Sequence, residues 1–107
     1  MEEYLDDDGY PTKEALDKIS NWEIRSFVEC EQLLDFVRSL WTYSHLFRCD
    51  DVEPIGKLYR ISTGGWSGNE SLIDAMQQNR AFWGLYWSQS RRGGHYIFMR
   101  YDKGANA

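Results

Sequence analysis

The sequence has few cysteines and prolines and no long apolar run. It contains two of each in 107 residues, so the disulfide framework of a small secreted domain is not expected. Cys30 and Cys49 are predicted to be reduced thiols. No apolar run approaches the roughly 20 residues that cross a bilayer, and the acidic first residues are unlike the basic start of a signal peptide. These absences favour a cytoplasmic protein that does not contact a membrane.

Aromatic residues are abundant instead. Five Trp, seven Tyr and five Phe supply a core in large pieces, since each such ring can bury roughly 150–250 Å². The length fits one domain and is short for two. We predict an acidic flexible arm over residues 1–10, followed by a single domain over residues 11–107.

The charges are divided unevenly along the chain, whose net charge is −5. Residues 1–53 hold 14 acidic and 5 basic side chains, a balance of −9, whereas residues 54–107 hold 3 and 7, a balance of +4. Such asymmetry indicates a charged partner, unless the two halves fold together and neutralise each other. The candidate residues for contact with a basic protein surface are Asp6, Asp7, Asp8, Asp50 and Asp51.

Nucleic-acid binding is disfavoured, because contact with phosphates needs a basic footprint. A local basic and aromatic patch stays open as an alternative. Its members are Arg91, Arg92, Arg100, Trp87 and Tyr96.

Two helices are predicted in the first half. Pro11 and Thr12 precede a helix with apolar residues at a spacing of three, which ends near Asn21. Ser26 and Glu29 have the S-x-x-E spacing of a capping box. The helix that they open has apolar residues at spacings of three and four: Phe27, Cys30, Leu33, Leu34, Val37, Leu40 and Trp41.

The second half reads as strands around one helix. Residues 43–56 look irregular, and residues 57–63 alternate as in a half-buried strand. A second S-x-x-E box at Ser67 opens a helix that ends near Asn79. Residues 81–88 and 95–101 alternate again around the glycines at 93 and 94, which indicates a hairpin.

The predicted fold class is therefore α+β, in the order α-α-β-α-β-β. A small antiparallel sheet of about three strands packs against helices on one face. Leu34 on the long helix and Trp83 on a strand are expected to be buried.

Two glycine-rich turns form the candidate ligand site. A strand-to-helix turn exposes backbone N–H groups that suit an anion, and a second turn supplies cations. The residues are Gly64, Gly65, Trp66, Ser67, Gly68, Asn69, Arg91, Arg92, His95 and Tyr96. The pattern is neither a Walker loop nor a dinucleotide fingerprint, so the alternative is that the glycines only form tight turns.

Catalytic and metal motifs are incomplete. Ser67 and His95 have the chemistry of a nucleophile and a base, but the G-x-S-x-G elbow is absent. His45, Cys49, Asp50 and Asp51 lack the second Cys/His pair of a zinc set. We therefore assign no catalytic residue, metal or cofactor.

The segments TGGWSGNE at residues 63–70 and RGGHY at residues 92–96, with Phe82 and Trp83 between them, carry a resemblance. Over roughly residues 8–101 the chain resembles small uncharacterised bacterial and phage-type proteins. The resemblance implies a compact domain of prokaryotes or mobile elements, in the host cell's cytoplasm if phage-encoded. It implies no activity.

The favoured function is a non-enzymatic acidic interaction protein, such as a phage or mobile-element inhibitor that binds a basic surface of a host nucleic-acid-handling or defence complex. One alternative is a binding protein for an anionic, nucleotide-like small molecule. Another is a small hydrolase that uses the same pocket. The sequence leaves the oligomeric state open.

Overall fold

The computed structural model describes residues 4–52 and 56–101. Within these ranges the chain has four α-helices and a four-stranded antiparallel sheet, which confirms the α+β class. The helices are α1 (Lys13–Ser20), α2 (Phe27–Leu40), α3 (Ser67–Gln78) and α4 (Arg80–Tyr86), and the strands are β1 (Phe47–Val52), β2 (Gly56–Ser62), β3 (Trp87–Arg91) and β4 (His95–Tyr101). A one-turn 3₁₀ helix, Ser44–Leu46, precedes β1.

Parts of three sequence predictions lie outside the described residues. They are residues 1–3 of the predicted arm, residues 53–55 of the stretch predicted to be irregular, and residues 102–107 of the predicted domain. Among the described residues, no helix is both long and apolar enough to span a membrane.

The first two helices begin where their capping residues predict. The Thr12 hydroxyl accepts a hydrogen bond from the Ala15 N–H at 3.2 Å, and the Ser26 hydroxyl accepts one from the Val28 N–H at 3.3 Å. The carboxylate of Glu29 accepts the Ser26 hydroxyl proton, with 2.7 Å between the oxygens. Polar side chains thus satisfy backbone donors that a helix start leaves free.

Strand β1 corrects the prediction that residues 43–56 are irregular. Three of the six residues in its sequence, FRCDDV, are charged, and Asp51 breaks the apolar alternation by which a half-buried strand is recognised. The strand lies at one edge of the sheet, whose order is β1-β2-β4-β3. It pairs with β2 from Phe47 opposite Ile61 to Val52 opposite Gly56. Charged residues are usual on edge strands.

Helix α4 corrects the prediction of a strand over residues 81–88. The strand of the final hairpin begins only at Trp87. Asn79 caps the helix by accepting the Phe82 N–H at 3.1 Å. Phe82 and Tyr86, four residues apart, lie on the buried side of the helix, and Trp83 is half-buried rather than buried.

The core lies between the helices and one face of the sheet. Tyr59, Ile61 and Phe98 are buried there with Leu34 and Phe82. The strand residues that alternate with Tyr59, Ile61 and Phe98 point to the opposite face, because successive side chains of a strand alternate. The helices therefore leave a second sheet face that carries polar residues.

The core position of Leu34 gives the first prediction. Leu34 is completely buried on α2, so Leu34→Ala should lower the free energy of unfolding by about 2–5 kcal/mol. Val28→Ala is the matched control on the same helix, since Val28 is 60% exposed and should change it by no more than about 0.5 kcal/mol. Urea unfolding measures both. Equal losses would contradict the assigned helix face.

The buried thiol gives a prediction for alkaline pH. Cys30 is a free cysteine without solvent exposure, and burial raises the pKa of its thiol from 9.0 to about 12. Above pH 9 the thiol ionises in the unfolded chain but stays protonated in the folded one, so the free energy of unfolding falls as pH rises toward 12. Burial also raises the pKa values of Tyr59 and Tyr86.

Unfolding of the wild type and Cys30→Ala in urea at pH 8 and pH 10.5 measures this effect. The wild type should lose more stability between the two pH values than the variant does. An equal loss in both proteins would show that ionisation of Cys30 is not linked to unfolding.

Candidate anion-binding site

The two glycine-rich turns lie side by side at one end of the sheet. Ser62 and His95 form the last pair of the β2–β4 ladder. Just beyond it, the Thr63 N–H donates to the carbonyl oxygen of Gly94 at 3.0 Å. At Gly94 the backbone has φ +80°, and a Cβ added there would lie 2.3 Å from the Thr63 hydroxyl oxygen. Glycine is thus required for this close approach.

The first turn mostly supports the fold. The Trp66 ring packs against Tyr10 with 4.6 Å between ring centroids, and the Ser67 hydroxyl donates to the Tyr10 hydroxyl at 3.1 Å. A Cβ on Gly68 would lie 2.4 Å from the Trp66 indole nitrogen. Gly64 and Gly65 are exposed and have φ of +66° and +77°.

Ser67 does not cap α3. The residue at the capping position is Trp66, which makes no side-chain capping bond, and Ser67 is already the first residue of the helix. The second S-x-x-E match therefore gave a wrong capping prediction, although the predicted helix is present.

Asn69 is buried and its amide is used internally. Its nitrogen donates to the carbonyl oxygens of Thr42 at 2.8 Å and Thr63 at 3.1 Å. Its oxygen accepts the Thr42 N–H at 3.0 Å. These bonds join α3 to the segment after α2 and to the end of β2, so the amide serves the scaffold.

The sheet face opposite the helices holds a depression of about 550 Å³. Arg91 and His95 from the predicted site contribute to it, together with residues that the sequence analysis did not select. The lining residues are His45, Leu46, Arg48, Arg60, Ile61, Ser62, Arg91, His95, Tyr96 and Ile97.

The lining contains three arginines and two histidines but no acidic residue. The Arg60 guanidinium pairs with Asp50 at 2.9 Å, and the Arg91 Nε donates to Gln89 Oε1 at 3.1 Å. Arg48 lies opposite Arg60 in the β1–β2 register. Within residues 4–52 and 56–101, neither Arg48 nor Arg91 has an ion-pair partner. The depression is therefore a positively charged site on a protein of net charge −5.

His95 hydrogen bonds to Ser62, not to Ser67. The Ser62 hydroxyl and the Nδ1 of His95 are 2.7 Å apart. A serine nucleophile needs a base that a third group orients, and no carboxylate among the described residues hydrogen bonds to His95. The pair thus offers polar groups to a ligand, and no catalytic step follows from it.

The remaining residues of the predicted ligand site lie at its margin. Arg92 is exposed and does not line the depression. Tyr96 contributes to the lining, but its ring faces Trp83 with 6.3 Å between centroids. Arg48 was missed because β1 was not recognised as a strand, and Arg60, although it lies on the predicted strand over residues 57–63, was not selected as a site residue. The register of β1 with β2 is the signal that brings them together.

The acidic residues predicted to contact a partner differ in whether their carboxylates are already used within the protein. The Asp6 carboxylate accepts the N–H groups of Asp8 and Tyr10 at 2.9 Å each, which holds a turn closed by a bridge between Leu5 and Pro11. Asp7 and Asp8 are exposed at this turn, as Asp51 is on β1.

Possible metal ligands do not cluster. No three His, Cys, Asp or Glu side chains come together as a metal site in the part of the chain that the structure describes. In particular, Asp50 is held by Arg60.

The junction of the two turns gives a prediction for glycine substitutions. Gly94→Ala should destabilise the protein more than Gly65→Ala. Both residues have a positive φ, which costs roughly 1–2 kcal/mol with a Cβ, but only at Gly94 would the Cβ also collide with Thr63. Thermal unfolding of the two variants measures the difference. Equal melting temperatures would contradict the close approach of the turns.

Comparison with known proteins identifies no relative: no family model matches the sequence, and no curated protein or solved structure matches the chain. The resemblance of residues 63–70 and 92–96 to small bacterial and phage-type proteins therefore stays a prediction.

Proposed function

We propose that the protein is a non-enzymatic binding protein that holds an anionic ligand on the open face of its sheet. One observation carries the proposal: three guanidinium groups line a single depression that contains no acidic residue. Arginine suits this role because its planar group offers several N–H donors to a carboxylate or phosphate.

Two of the arginines are held in place before a ligand arrives. Asp50 orients Arg60, and Gln89 orients Arg91. Their strands, β2 and β3, are both fixed by backbone pairing with β4. A preorganised site loses less side-chain entropy on binding, which leaves more of the interaction energy for affinity.

The size of the depression favours a small ligand. About 550 Å³ falls within the roughly 300–1,000 Å³ of small-molecule sites. A long nucleic acid would extend beyond the depression and meet the acidic remainder of the protein, where repulsion opposes binding. A compact anion needs only the basic depression.

A second candidate function uses the acidic turn. Because Asp6 is engaged in the turn, it presents Asp7 and Asp8 to solvent in a fixed arrangement. This favours contact with a basic protein surface. In this form of the proposal, the protein inhibits a host nucleic-acid-handling or defence complex. It acts in the cytoplasm of a phage-infected cell. In that case, binding of the partner protein should require Asp7 and Asp8 and should not depend on Arg91.

Neighbouring arginines allow a matched test of the anion site. Arg91→Ala should weaken binding of inorganic pyrophosphate by about 10-fold or more, because a hydrogen bond to a charged group contributes about 1.5–3 kcal/mol. Arg92→Ala removes the same charge one residue away, outside the depression, and should change the affinity by less than about 3-fold. Isothermal titration calorimetry at low salt measures both.

The melting temperatures of the two variants should stay close to that of the wild type, since exposed arginines contribute little to stability. No binding of pyrophosphate by the wild type would refute the anion site. Equal losses of affinity in Arg91→Ala and Arg92→Ala would show that pyrophosphate responds to the overall charge of the protein and not to the depression.

A further inference from the structure

Tyr43 has an unusual backbone conformation beside the basic depression. Its φ and ψ are 69° and 62°, and it is the one non-glycine residue with positive φ in the described part of the chain. Bulky residues rarely adopt this conformation, and such strain is concentrated at ligand sites. The side chain is nevertheless 49% exposed.

The position of the Tyr43 ring is set by its neighbours. Its backbone carbonyl accepts the Leu46 N–H at 2.8 Å at the start of the 3₁₀ turn. Its ring lies against the first glycine-rich turn, where a Cβ on Gly64 would be 3.0 Å from the ring Cδ2. The turn conformation thus directs an aromatic ring to the surface beside Gly64.

The Tyr43 ring lies outside the depression but next to His45, which lines it. The centroids of the two rings are 6.4 Å apart and their planes are at 67°, and His45 lines the depression with the three arginines. An exposed aromatic pair therefore adjoins a cluster of guanidinium groups. Aromatic faces bind flat rings, and guanidinium groups bind phosphate.

We infer that the ligand of this site is a nucleotide-like compound, with its phosphate on Arg48, Arg60 and Arg91 and its flat ring stacked on Tyr43, beside His45. The inference rests on the proposed anion site and names the class of its ligand. The inferred ligand is a mononucleotide and not a polynucleotide. The one basic depression fits a single phosphate, and the exposed aromatic ring beside it fits a single base.

A series of ligands tests the two parts separately. Calorimetry would compare inorganic phosphate, ribose 5-phosphate, adenosine, adenosine 5′-monophosphate and a short single-stranded oligonucleotide. The monophosphate should bind about 5-fold to 150-fold more tightly than ribose 5-phosphate, since stacking of a base contributes about 1–3 kcal/mol. Adenosine should bind more weakly than the monophosphate.

Substitutions at Tyr43 locate the ring contact. Tyr43→Gly removes the ring and suits the positive φ, so the variant should fold as stably as the wild type. It should bind ribose 5-phosphate normally and lose the preference for the monophosphate. Tyr43→Phe keeps the ring and should keep the preference.

The results distinguish failure of the anion site from failure of the nucleotide inference. Equal affinity of the wild type for ribose 5-phosphate and the monophosphate would overturn the nucleotide inference and leave the anion site standing. Binding of no phosphate compound would overturn both. Tighter binding of the oligonucleotide would overturn the choice of a mononucleotide. An unchanged preference of Tyr43→Gly for the monophosphate over ribose 5-phosphate would overturn the role of the ring.

Discussion

The register of β2 against β4 determines what both faces of the sheet can do. Tyr59 opposite Phe98 contributes to the core, and Ser62 opposite His95 contributes to the basic depression. A shift of β2 by one residue would move Tyr59 and Ser62 to the opposite faces of the sheet. Burial of Tyr59 and Phe98 therefore also fixes the positions of the polar groups, and core packing determines the geometry of the site.

Two buried asparagines, one at each end of α3, connect this helix to distant segments of the chain. Asn69 at the start of α3 bonds to Thr42 and Thr63. Asn79, just after α3, donates to the carbonyl oxygens of Ile19 and Trp22 at 2.9 and 3.0 Å. A buried amide is costly unless its groups are paired. The two residues therefore favour one arrangement of the segments around α3.

Local patterns in the sequence predicted the parts of the fold that local interactions control. The box at Ser26 and the apolar positions of α2 are examples, because capping and helix periodicity involve neighbours in sequence. The same S-x-x-E spacing at Ser67 failed as a cap. There the hydroxyl bonds to Tyr10, a residue far away in the sequence whose proximity no local pattern reveals.

The other failures have two separate causes. The alternation around Trp83 resembled a strand, but the cap of Asn79 and the burial of Phe82 with Tyr86 favour a helix. The site was predicted only in part because it depends on pairing between strands that are distant in sequence. Arg91 and His95 are close in sequence, whereas Arg60 reaches them through the pairing of β2 with β4, and Arg48 through the edge strand β1, which was not recognised.

The pairing of Arg48 opposite Arg60 places two like charges across adjacent strands. Such pairs oppose strand association, and Asp50 offsets the charge of Arg60 only. An anion bound between the two guanidinium groups would remove the repulsion and favour pairing of β1 with β2. In the proposed complex, occupancy of the site and order at this edge of the sheet would thus be thermodynamically linked. The bound anion would then contribute to the cohesion of the sheet itself.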